Sequence, residues 1–424
     1  MKTRTHKHVA VRRRGRGKGW AWSIITAMLA TTGALARETR YTVTDLGTLG
    51  GTYISVSGIN NRGQVVGYAT TNGLNNMHAF VYTAGSMLDL GTLGGTNSYG
   101  YGINDSGQVV GTAYTSGGEG HGFKYVGGTM SDLGTLGGTG SDARAINTAG
   151  QTAGGAWTSG DSEYHACLYG GATNTDLGTL GGTRSEAFGV NDQGQVVGRA
   201  FVIIDGISRY HAFLYRDGVM SDLGTLGGTE SDAYGINNSG QVVGGAYTGS
   251  NVEHAFLYSG GVMTDLGTGA YPSRAQGINN SGQIVGFVIT AEIAQHAFLY
   301  SGGAMTDLNS VIDTNSGWTL EVATAINDGG QIVGVGSHSA EPLRVFLLTP
   351  FPVLQIALTT SNAVQLQFTA QANVGYVIEF RDSLGSGAWQ PLVVLDPVSL
   401  VHLVNFTDPI SPGQSLRLYR VRTS

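Results

Sequence analysis

One heptapeptide, Asp-Leu-Gly-Thr-Leu-Gly-Gly, recurs along most of the chain. It begins at Asp45, Asp89, Asp132, Asp176 and Asp222, and returns in altered form at Asp265 and Asp307. Successive Asp residues are separated by 44, 43, 44, 46, 43 and 42 residues. A period of this length is typical of repeat folds in which each unit is one supersecondary element. The heptapeptide therefore confines residues 41–348 to a repeat architecture.

Each unit contains four short runs that predict β-strands. The first ends in Gly-Ile-Asn or a close relative and is followed by a tight turn such as Asn104-Asp105-Ser106-Gly107. The second is Gln-Val-Val-Gly or a variant, the third is typified by His211-Ala212-Phe213-Leu214-Tyr215, and the fourth by Met263-Thr264-Asp265-Leu266-Gly267. β-branched and aromatic residues between Asn, Asp and Gly turn signals are typical of antiparallel strands. The 69 glycines and 12% charged residues agree with turns and β-structure.

The ends of the repeat region are complementary. The region opens with a lone fourth strand, residues 41–47, and closes after a lone third strand, residues 344–348. Pairing the two closes a ring without a free edge, which an open array does not require. We therefore predict an all-β fold, a seven-bladed β-propeller over residues 41–348. A right-handed β-solenoid is the alternative.

The recurring motifs also carry a family resemblance. Asp-Leu-Gly-Thr-Leu-Gly-Gly-Thr, Gly-Ile-Asn, Gly-Gln-Val-Val-Gly and His-Ala-Phe-Leu-Tyr follow one another in fixed order over residues 41–348. This order resembles the HAF family of extracellular bacterial repeat proteins, named for the tripeptide His-Ala-Phe. The resemblance implies export and a repeat fold, and brings no activity, substrate or catalytic residue. The last two units depart from the pattern, with Thr268-Gly269-Ala270, Asn309-Ser310 and Arg344-Val345-Phe346.

The N-terminal segment differs from the rest of the chain. Eight Lys and Arg residues precede an apolar run, Trp20 to Leu35, which closes with Ala34-Leu35-Ala36. This pattern predicts a secretory signal peptide, residues 1–36, cleaved after Ala36. A retained membrane anchor is the alternative, although the run is short for a span of about 20 residues.

The mature chain is acidic and nearly free of cysteine. Without the eight basic residues, 15 Lys and Arg face 29 Asp and Glu, a net charge of −14 with His neutral. Such a surface disfavours nucleic acid and anionic membranes as partners. Cys167 is the single cysteine, which excludes an intramolecular disulfide and a Cys-based zinc site. We expect a secreted, cell-surface or periplasmic monomer with no integral membrane span after cleavage.

The repeat stops at a short Pro-punctuated linker, residues 349–352. Residues 353–424 contain six or seven alternating apolar runs, which predict a small β-sandwich. The segments Gly375-Tyr376-Val377-Ile378-Glu379 and Leu418-Tyr419-Arg420-Val421 resemble the immunoglobulin- or fibronectin-type modules of secreted bacterial proteins. The resemblance implies a spacer or attachment module.

Function is sought where the repeat varies. If the Gly-Ile-Asn strand is innermost, the variable loops emerge on one face of the ring and the tight turns on the other, and functional residues concentrate on such loops. The positions three before and one before the Gly of the first strand place Asp142, Glu186 and Asp232 on consecutive units, with Arg144 and Arg274 beside them. These carboxylates could form an acid/base pair or provide oxygen ligands for a cation. A solvated rim is the alternative.

Aromatic residues on the same face are candidates for stacking on sugar rings. They are Tyr99, Tyr101, Trp157, Tyr234, Tyr271 and Trp318, and Trp318 lies in the longest insertion, Asn309 to Thr324. Packing between neighbouring loops is the alternative. We include Tyr99, Tyr101, Arg144, Trp157, Tyr234, Arg274 and Trp318 in the predicted binding residues.

The remaining motifs predict scaffold and no cofactor. Six histidines, His78, His121, His165, His211, His254 and His296, occupy one repeat position, so the ring separates them and zinc binding is not expected. A recurring hydrogen bond to the adjacent loop explains them better. The Asn/Asp-rich hairpins leave Ca²⁺ open as a weak possibility, although they lack the ligand spacing of known calcium loops.

The sequence thus predicts an exported, non-catalytic binding or structural protein whose partner is a polysaccharide or an extracellular protein. A carbohydrate-active hydrolase or lyase that uses a pair among Asp142, Glu186 and Asp232 is the competing hypothesis.

Overall fold

The computed structural model describes residues 41–71, 76–170, 173–267, 269–339, 341–358, 363–382, 388–409 and 417–423. In these ranges the chain is all-β, apart from two short 3₁₀ turns, Ser159–Asp161 and Leu308–Ser310. The all-β prediction is confirmed. The predicted signal peptide, residues 1–36, lies outside the described residues.

The strands of the repeat region follow the predicted four-run pattern. They are β1 Tyr41–Asp45; β2 Gly50–Ile59, β3 Val65–Thr71, β4 Met77–Thr83 and β5 Ser86–Asp89; β6 Gly94–Ile103, β7 Val109–Thr115, β8 Gly120–Val126 and β9 Thr129–Asp132; β10 Gly137–Ile146, β11 Thr152–Thr158, β12 Tyr164–Tyr169 and β13 Thr175–Asp176; β14 Ser185–Val190, β15 Val196–Ile204, β16 Ile207–Arg216 and β17 Val219–Asp222; β18 Gly227–Ile236, β19 Val242–Thr248, β20 Glu253–Ser259 and β21 Val262–Asp265; β22 Ser273–Ile278, β23 Ile284–Ile289, β24 Gln295–Ser301 and β25 Ala304–Asp307; and β26 Trp318–Ile326, β27 Ile332–His338 and β28 Glu341–Pro350.

These strands form seven four-stranded antiparallel sheets within the described ranges. Sheets 1 to 6 are made of consecutive strands, from β2-β3-β4-β5 to β22-β23-β24-β25. The tight first turns of all seven sheets contain a glycine, Gly63, Gly107, Gly150, Gly194, Gly240, Gly282 or Gly330, whose φ angles of 70° to 82° favour glycine. Antiparallel sheets of this size, one per repeat, give a propeller-like arrangement rather than a parallel solenoid.

Sheet 7 joins the two ends of the repeat region. Its order is β1-β28-β27-β26, so β1 is the fourth strand of the last sheet, as predicted. Tyr41 lies opposite Pro350 and Asp45 opposite Phe346. Strand β28 therefore continues two residues beyond the predicted boundary at Leu348, because residues 349 and 350 still pair with β1.

The core lies between successive sheets. A typical cluster contains Leu46, which follows β1, together with Val65 and Phe80 of sheet 1 and Val333 and Val345 of sheet 7. The Phe of each His-Ala-Phe run is buried, and Cys167, which replaces one of these Phe residues, is fully buried as well. Burial raises the pKa of the Cys167 thiol to about 12, so the residue packs as a small hydrophobic side chain.

A closed ring of asparagine side chains joins all seven sheets. The Asn that directly follows each first strand donates from Nδ2 to the backbone carbonyl oxygen of the equivalent Asn in the next sheet, at 2.9–3.1 Å. The series runs Asn60, Asn104, Asn147, Asn191, Asn237, Asn279, Asn327 and back to Asn60. All seven residues are buried, with 3–4% of their surface exposed. The first strands are therefore innermost, and the last junction carries the same bond as the other six.

The described residues beyond the repeat region form two three-stranded sheets. The strands are β29 Gln355–Leu358, β30 Ala363–Ala370, β31 Tyr376–Arg381, β32 Gln390–Leu395, β33 His402–Pro409 and β34 Leu418–Thr423, paired as β29-β30-β33 and β32-β31-β34. Leu366 and Phe368 of one sheet share a buried cluster with Tyr376 and Ile378 of the other. Six strands thus occupy the part of the chain for which six or seven apolar runs were predicted.

Candidate functional site

The register of the first two strands of each sheet defines the variable face. In every unit the residue three before the first-strand Gly, or Ala where that stands instead, lies opposite the residue that follows Gln-Val-Val-Gly. These cross-strand pairs are Ser55–Tyr68, Tyr99–Thr112, Asp142–Gly155, Glu186–Arg199, Asp232–Gly245, Arg274–Phe287 and Val322–Val335. A β-bulge follows the first member of each pair and directs the next variable side chain to the same end of the sheet. The first residue of each pair was predicted from the sequence as a candidate position, whereas the second was not.

One cavity on this face collects five of the predicted residues. It has a volume of about 510 Å³, and Tyr99, Tyr101, Asp142, Arg144 and Trp157 line it. The other lining residues are Thr112, Tyr114, Glu119, Gly120, Thr139, Gly140, Ser141 and Tyr164. We call this space, between sheets 2 and 3, the Asp142 cavity. Its volume is in the usual range for small-molecule sites.

The polar floor of the Asp142 cavity is an ion pair on an aromatic ring. Arg144 donates to one Asp142 oxygen from Nε at 3.0 Å and from a terminal nitrogen at 2.9 Å. The second Asp142 oxygen accepts the Gly155 amide at 2.8 Å. The Arg144 guanidinium lies 4.4 Å from the centroid of the Tyr101 ring, a cation–π contact. Burial raises the pKa of Tyr101 to about 12 despite the nearby Arg144 charge, so its phenol is neutral and can donate a hydrogen bond.

The walls of the cavity are aromatic. Trp157 and Tyr164 meet edge to face, with centroids 5.2 Å apart. Tyr164 has room because residue 155 is glycine: a Cβ there would lie 2.4 Å from its ring. Burial raises the pKa of Tyr164. The sequence did not single out Tyr164 or Gly155, although both occupy variable positions of the repeat.

Two of the predicted carboxylates share one arginine. Arg199 places terminal nitrogens 3.2 Å from Glu186 and 3.5 Å from Asp232. Arg184 also pairs with Glu186, at 2.8 Å. The arrangement holds Glu186 and Asp232 inside the limit of roughly 9.5 Å for an inverting glycosidase pair, but the guanidinium lies between them. Burial raises the pKa of Asp232 even though Arg199 opposes the shift.

The next predicted residues extend the charged rim away from the cavity. Arg274 donates to both oxygens of Glu253, at 2.7 and 2.8 Å. Its guanidinium lies 5.4 Å from the centroid of Tyr234, which stacks on Phe188 at 5.6 Å. Tyr234 and Arg274 thus belong to a balanced network of ion pairs and rings that is separate from the Asp142 cavity.

Trp318 takes part in packing. Its ring stacks on His338 at 4.9 Å and meets Phe346 edge to face at 6.0 Å. The insertion that contains it also buries Val311 and Ile312 in the core of sheet 7, next to Leu308. Trp318 does not line the Asp142 cavity.

The repeated Asp and His residues form a second set of contacts on the scaffold. In six units the His Nδ1 lies 2.6–2.9 Å from the Asp that opens the heptapeptide. In all seven units that Asp also accepts the backbone amide two residues later, at 2.7–2.9 Å. The histidines therefore make a recurring hydrogen bond, but its acceptor is the heptapeptide Asp at the end of the fourth strand and not the adjacent loop as predicted. These two hydrogen bonds explain why the heptapeptide begins with Asp.

These pairs predict a stability that depends on pH. Burial raises the pKa of Asp222, but hydrogen bonds from His211 and the Gly224 amide outweigh it, so the pKa lies below its ordinary value. A lowered folded-state pKa stabilises the fold above the ordinary Asp range of about 3.9, and this stability is lost as the pH falls through the folded-state pKa. Asp222→Asn should therefore unfold at a lower denaturant concentration near pH 7, with a modest gap that narrows below about pH 4.

Asp217→Asn is the matched control for this measurement. The Asp217 side chain is 90% exposed and contacts Arg216 at 3.6 Å. Its denaturation midpoint should follow the parent protein at every pH. A gap between Asp222→Asn and the parent that stays constant on acidification would refute the ionic role of Asp222.

The described residues do not provide a clustered metal site. Within the described ranges, no three or more His, Cys, Asp and Glu side chains lie where they could together hold a metal ion. Calcium binding stays an untested prediction. In the same ranges, no helix has the length and apolar character needed to cross a membrane.

Comparisons with known proteins give weak structural similarity. No protein-family model matches the chain, and no curated protein matches it. Among solved structures, it is similar to an acylaminoacyl peptidase from Pyrococcus horikoshii, at 9% identity and a TM-score of 0.46, over 77% of this chain and 59% of the peptidase. A puromycin-hydrolyzing peptidase of Mycobacterium tuberculosis gives 9% identity and a TM-score of 0.46, over 79% and 62%. A putative TolB from Agrobacterium tumefaciens gives 11% identity and a TM-score of 0.39, over 74% and 99%. The chain thus spans about three fifths of each peptidase.

Proposed function

We propose that this is an exported binding protein in which the seven sheets form a closed seven-bladed propeller, followed by a small β-sandwich, and the Asp142 cavity binds a sugar residue of an extracellular polysaccharide. The observation that carries the proposal is the combination, in one cavity, of Trp157, Tyr99 and Tyr101 with the Asp142–Arg144 pair. Flat apolar rings stack on the C–H faces of a sugar, while a planar ion pair offers donors and acceptors to its hydroxyl groups.

The charge of the cavity indicates a neutral sugar. Glu119 and Asp142 contribute two negative charges, and Arg144 contributes one positive charge that Asp142 already pairs. An added carboxylate or sulfate on the ligand would meet a net negative cavity in an acidic protein. We therefore expect neutral glycans to bind more tightly than uronic-acid or sulfated ones.

The hydrolase or lyase alternative has one observation on its side, the raised pKa of Asp232 next to Glu186. Against it, each of Asp142, Glu186 and Asp232 is paired with an arginine. An arginine between two carboxylates occupies the space that a glycosidic bond would need. The geometry therefore favours binding over hydrolysis.

Truncation of the aromatic wall is the direct test. Trp157→Ala should weaken binding to a neutral polysaccharide about tenfold or more, since a lost ring contact of 1.4 kcal/mol corresponds to a factor of ten. Trp157→Phe should retain most of the affinity. Isothermal titration with glycans identified by array screening provides the measurement, with the cooperative unfolding transition checked for each variant.

Tyr271→Ala serves as the control, because Tyr271 is 41% exposed and does not line the cavity. It should bind as the parent does. Equal affinities for Trp157→Ala and Tyr271→Ala would exclude the Asp142 cavity as the site. Glycan-array and cell-wall pull-down experiments that both detect no ligand would exclude the binding function.

A further inference from the structure

The facing pairs of sheets 1 and 2 differ from those of sheets 3 to 6 in that they carry tyrosine and no charged residue. Sheets 3 to 6 carry the ion pairs of Asp142, Glu186, Asp232 and Arg274. Sheets 1 and 2 carry tyrosines at the corresponding positions. Tyr68 lies opposite Ser55 in sheet 1, and Tyr99 and Tyr101 lie in the first strand of sheet 2. Propeller closure requires neither kind of residue at these positions.

The tyrosines form a continuous row that ends in the Asp142 cavity. Tyr53 stacks on Tyr68 with centroids 6.2 Å apart and planes 25° from parallel. Tyr68 in turn meets Tyr99 edge to face at 5.0 Å and Tyr101 at 6.4 Å. Tyr99 and Tyr101 line the cavity itself. The row therefore leads from open solvent at Tyr53 across two sheets into the proposed sugar site.

Tyr53 is the solvent-exposed end of this row. Tyr53 is 36% exposed, and its ring contact within the described residues is with Tyr68. An exposed ring whose neighbour continues into a binding cavity can cover a second ligand unit at little ordering cost, because the rings already hold each other in place.

We propose that Tyr53 and Tyr68 form a second sugar subsite, so that the protein binds a neutral polysaccharide along its chain and not as single residues. This inference rests on the proposed function of the Asp142 cavity. The cavity holds one sugar residue, and the next residue of the same chain lies on Tyr53 and Tyr68. The contacts Tyr53–Tyr68–Tyr99 connect this subsite directly to the cavity, so one extended chain can reach both.

With this subsite, the affinity for an oligosaccharide rises with the number of its sugar residues, and substitution of Tyr53 removes that rise. For the parent protein, α- and β-linked gluco-oligosaccharides from monomer to hexamer are titrated into the mature chain. The step from one to two or three residues should raise affinity about tenfold, as expected for one added stacking contact. Tyr53→Ala should lose this gain and leave the affinity for the monosaccharide unchanged. Tyr53→Phe should keep the gain, since the ring is retained.

Each outcome bears on a separate claim. Parent affinity that does not change with chain length would overturn the subsite and leave the cavity function standing. Equal losses for monomer and oligomer in Tyr53→Ala would also overturn it, because the residue would then only support the cavity. An unchanged length dependence in Tyr53→Ala would overturn it as well. Absence of binding to the gluco-oligosaccharides and to every glycan of an array would overturn both the subsite and the proposed function.

Discussion

A chain that begins after Leu46 should lose cooperative folding of the repeat region. Strand β1 supplies the outer strand of sheet 7, and its removal leaves the backbone edge of β28 unpaired. Tyr41 and Leu46, which are 3% and 5% exposed, belong to two different core clusters. Burial of a residue the size of Leu46 contributes roughly 1.5–3 kcal/mol, and a domain is stable by only about 5–15 kcal/mol.

The measurement is thermal and denaturant unfolding of two purified chains. The control begins at Arg37, after the predicted cleavage site, and retains β1. It should unfold in one sharp transition, whereas the chain that begins after Leu46 should show a broad or absent transition. A peptide of residues 40–47 added in excess should restore part of the transition by strand addition. Equal midpoints for the two chains would show that β1 does not hold the ring closed.

Asn191→Ala should cost about 2–4 kcal/mol of unfolding free energy. The Asn191 side chain donates to Asn237 at 3.1 Å and to Gln195 at 2.7 Å, and accepts the amides of Gln193 and Gln195 at 3.1 and 3.0 Å. Alanine leaves these groups without partners at a residue that is 3% exposed. Unsatisfied buried polar groups cost about 1–3 kcal/mol each, partly relieved by relaxation or water.

Gln193→Ala is the control for the asparagine ring. Gln193 lies in the same turn with an exposed side chain, and its backbone amide still donates to Asn191 in the variant. Urea unfolding should place Gln193→Ala within about 0.5 kcal/mol of the parent, as for other surface substitutions. If Asn191→Ala has the same stability as Gln193→Ala, the ring of side-chain bonds is not a main source of stability.

Much of the scaffold could be predicted because repetition makes local signals add up. One copy of Gly-Ile-Asn says little, but seven copies at a fixed offset from Gln-Val-Val-Gly predict strand, turn and strand. The complementary ends at Tyr41 and Phe346 predicted the pairing that the structure shows. In the sequence, the turn asparagine is only one of the Asn, Asp and Gly turn signals. Its bond to the next unit was not foreseen, because that partner is more than forty residues away.

The candidate site was less predictable because it depends on register. Arg199 follows Gln-Val-Val-Gly, and only the bulge after Ala187 reveals that it lies opposite Glu186. Without that pairing, Asp142, Glu186 and Asp232 look like free carboxylates. Trp318 was selected because it lies in an insertion, but that insertion contributes Val311 and Ile312 to the core, and the tryptophan packs with it.

The cross-strand register has a consequence for how such a protein can diversify. The two members of each facing pair, such as Glu186 and Arg199, are always 13 residues apart and belong to one unit. The two residues of a facing pair can therefore change together within a single repeat, while the buried asparagines that join neighbouring units stay as they are. Duplication supplies copies of a unit, and each copy can acquire its own pair. Substitutions in a facing pair and substitutions in the asparagine ring thus affect different residues of the same repeat.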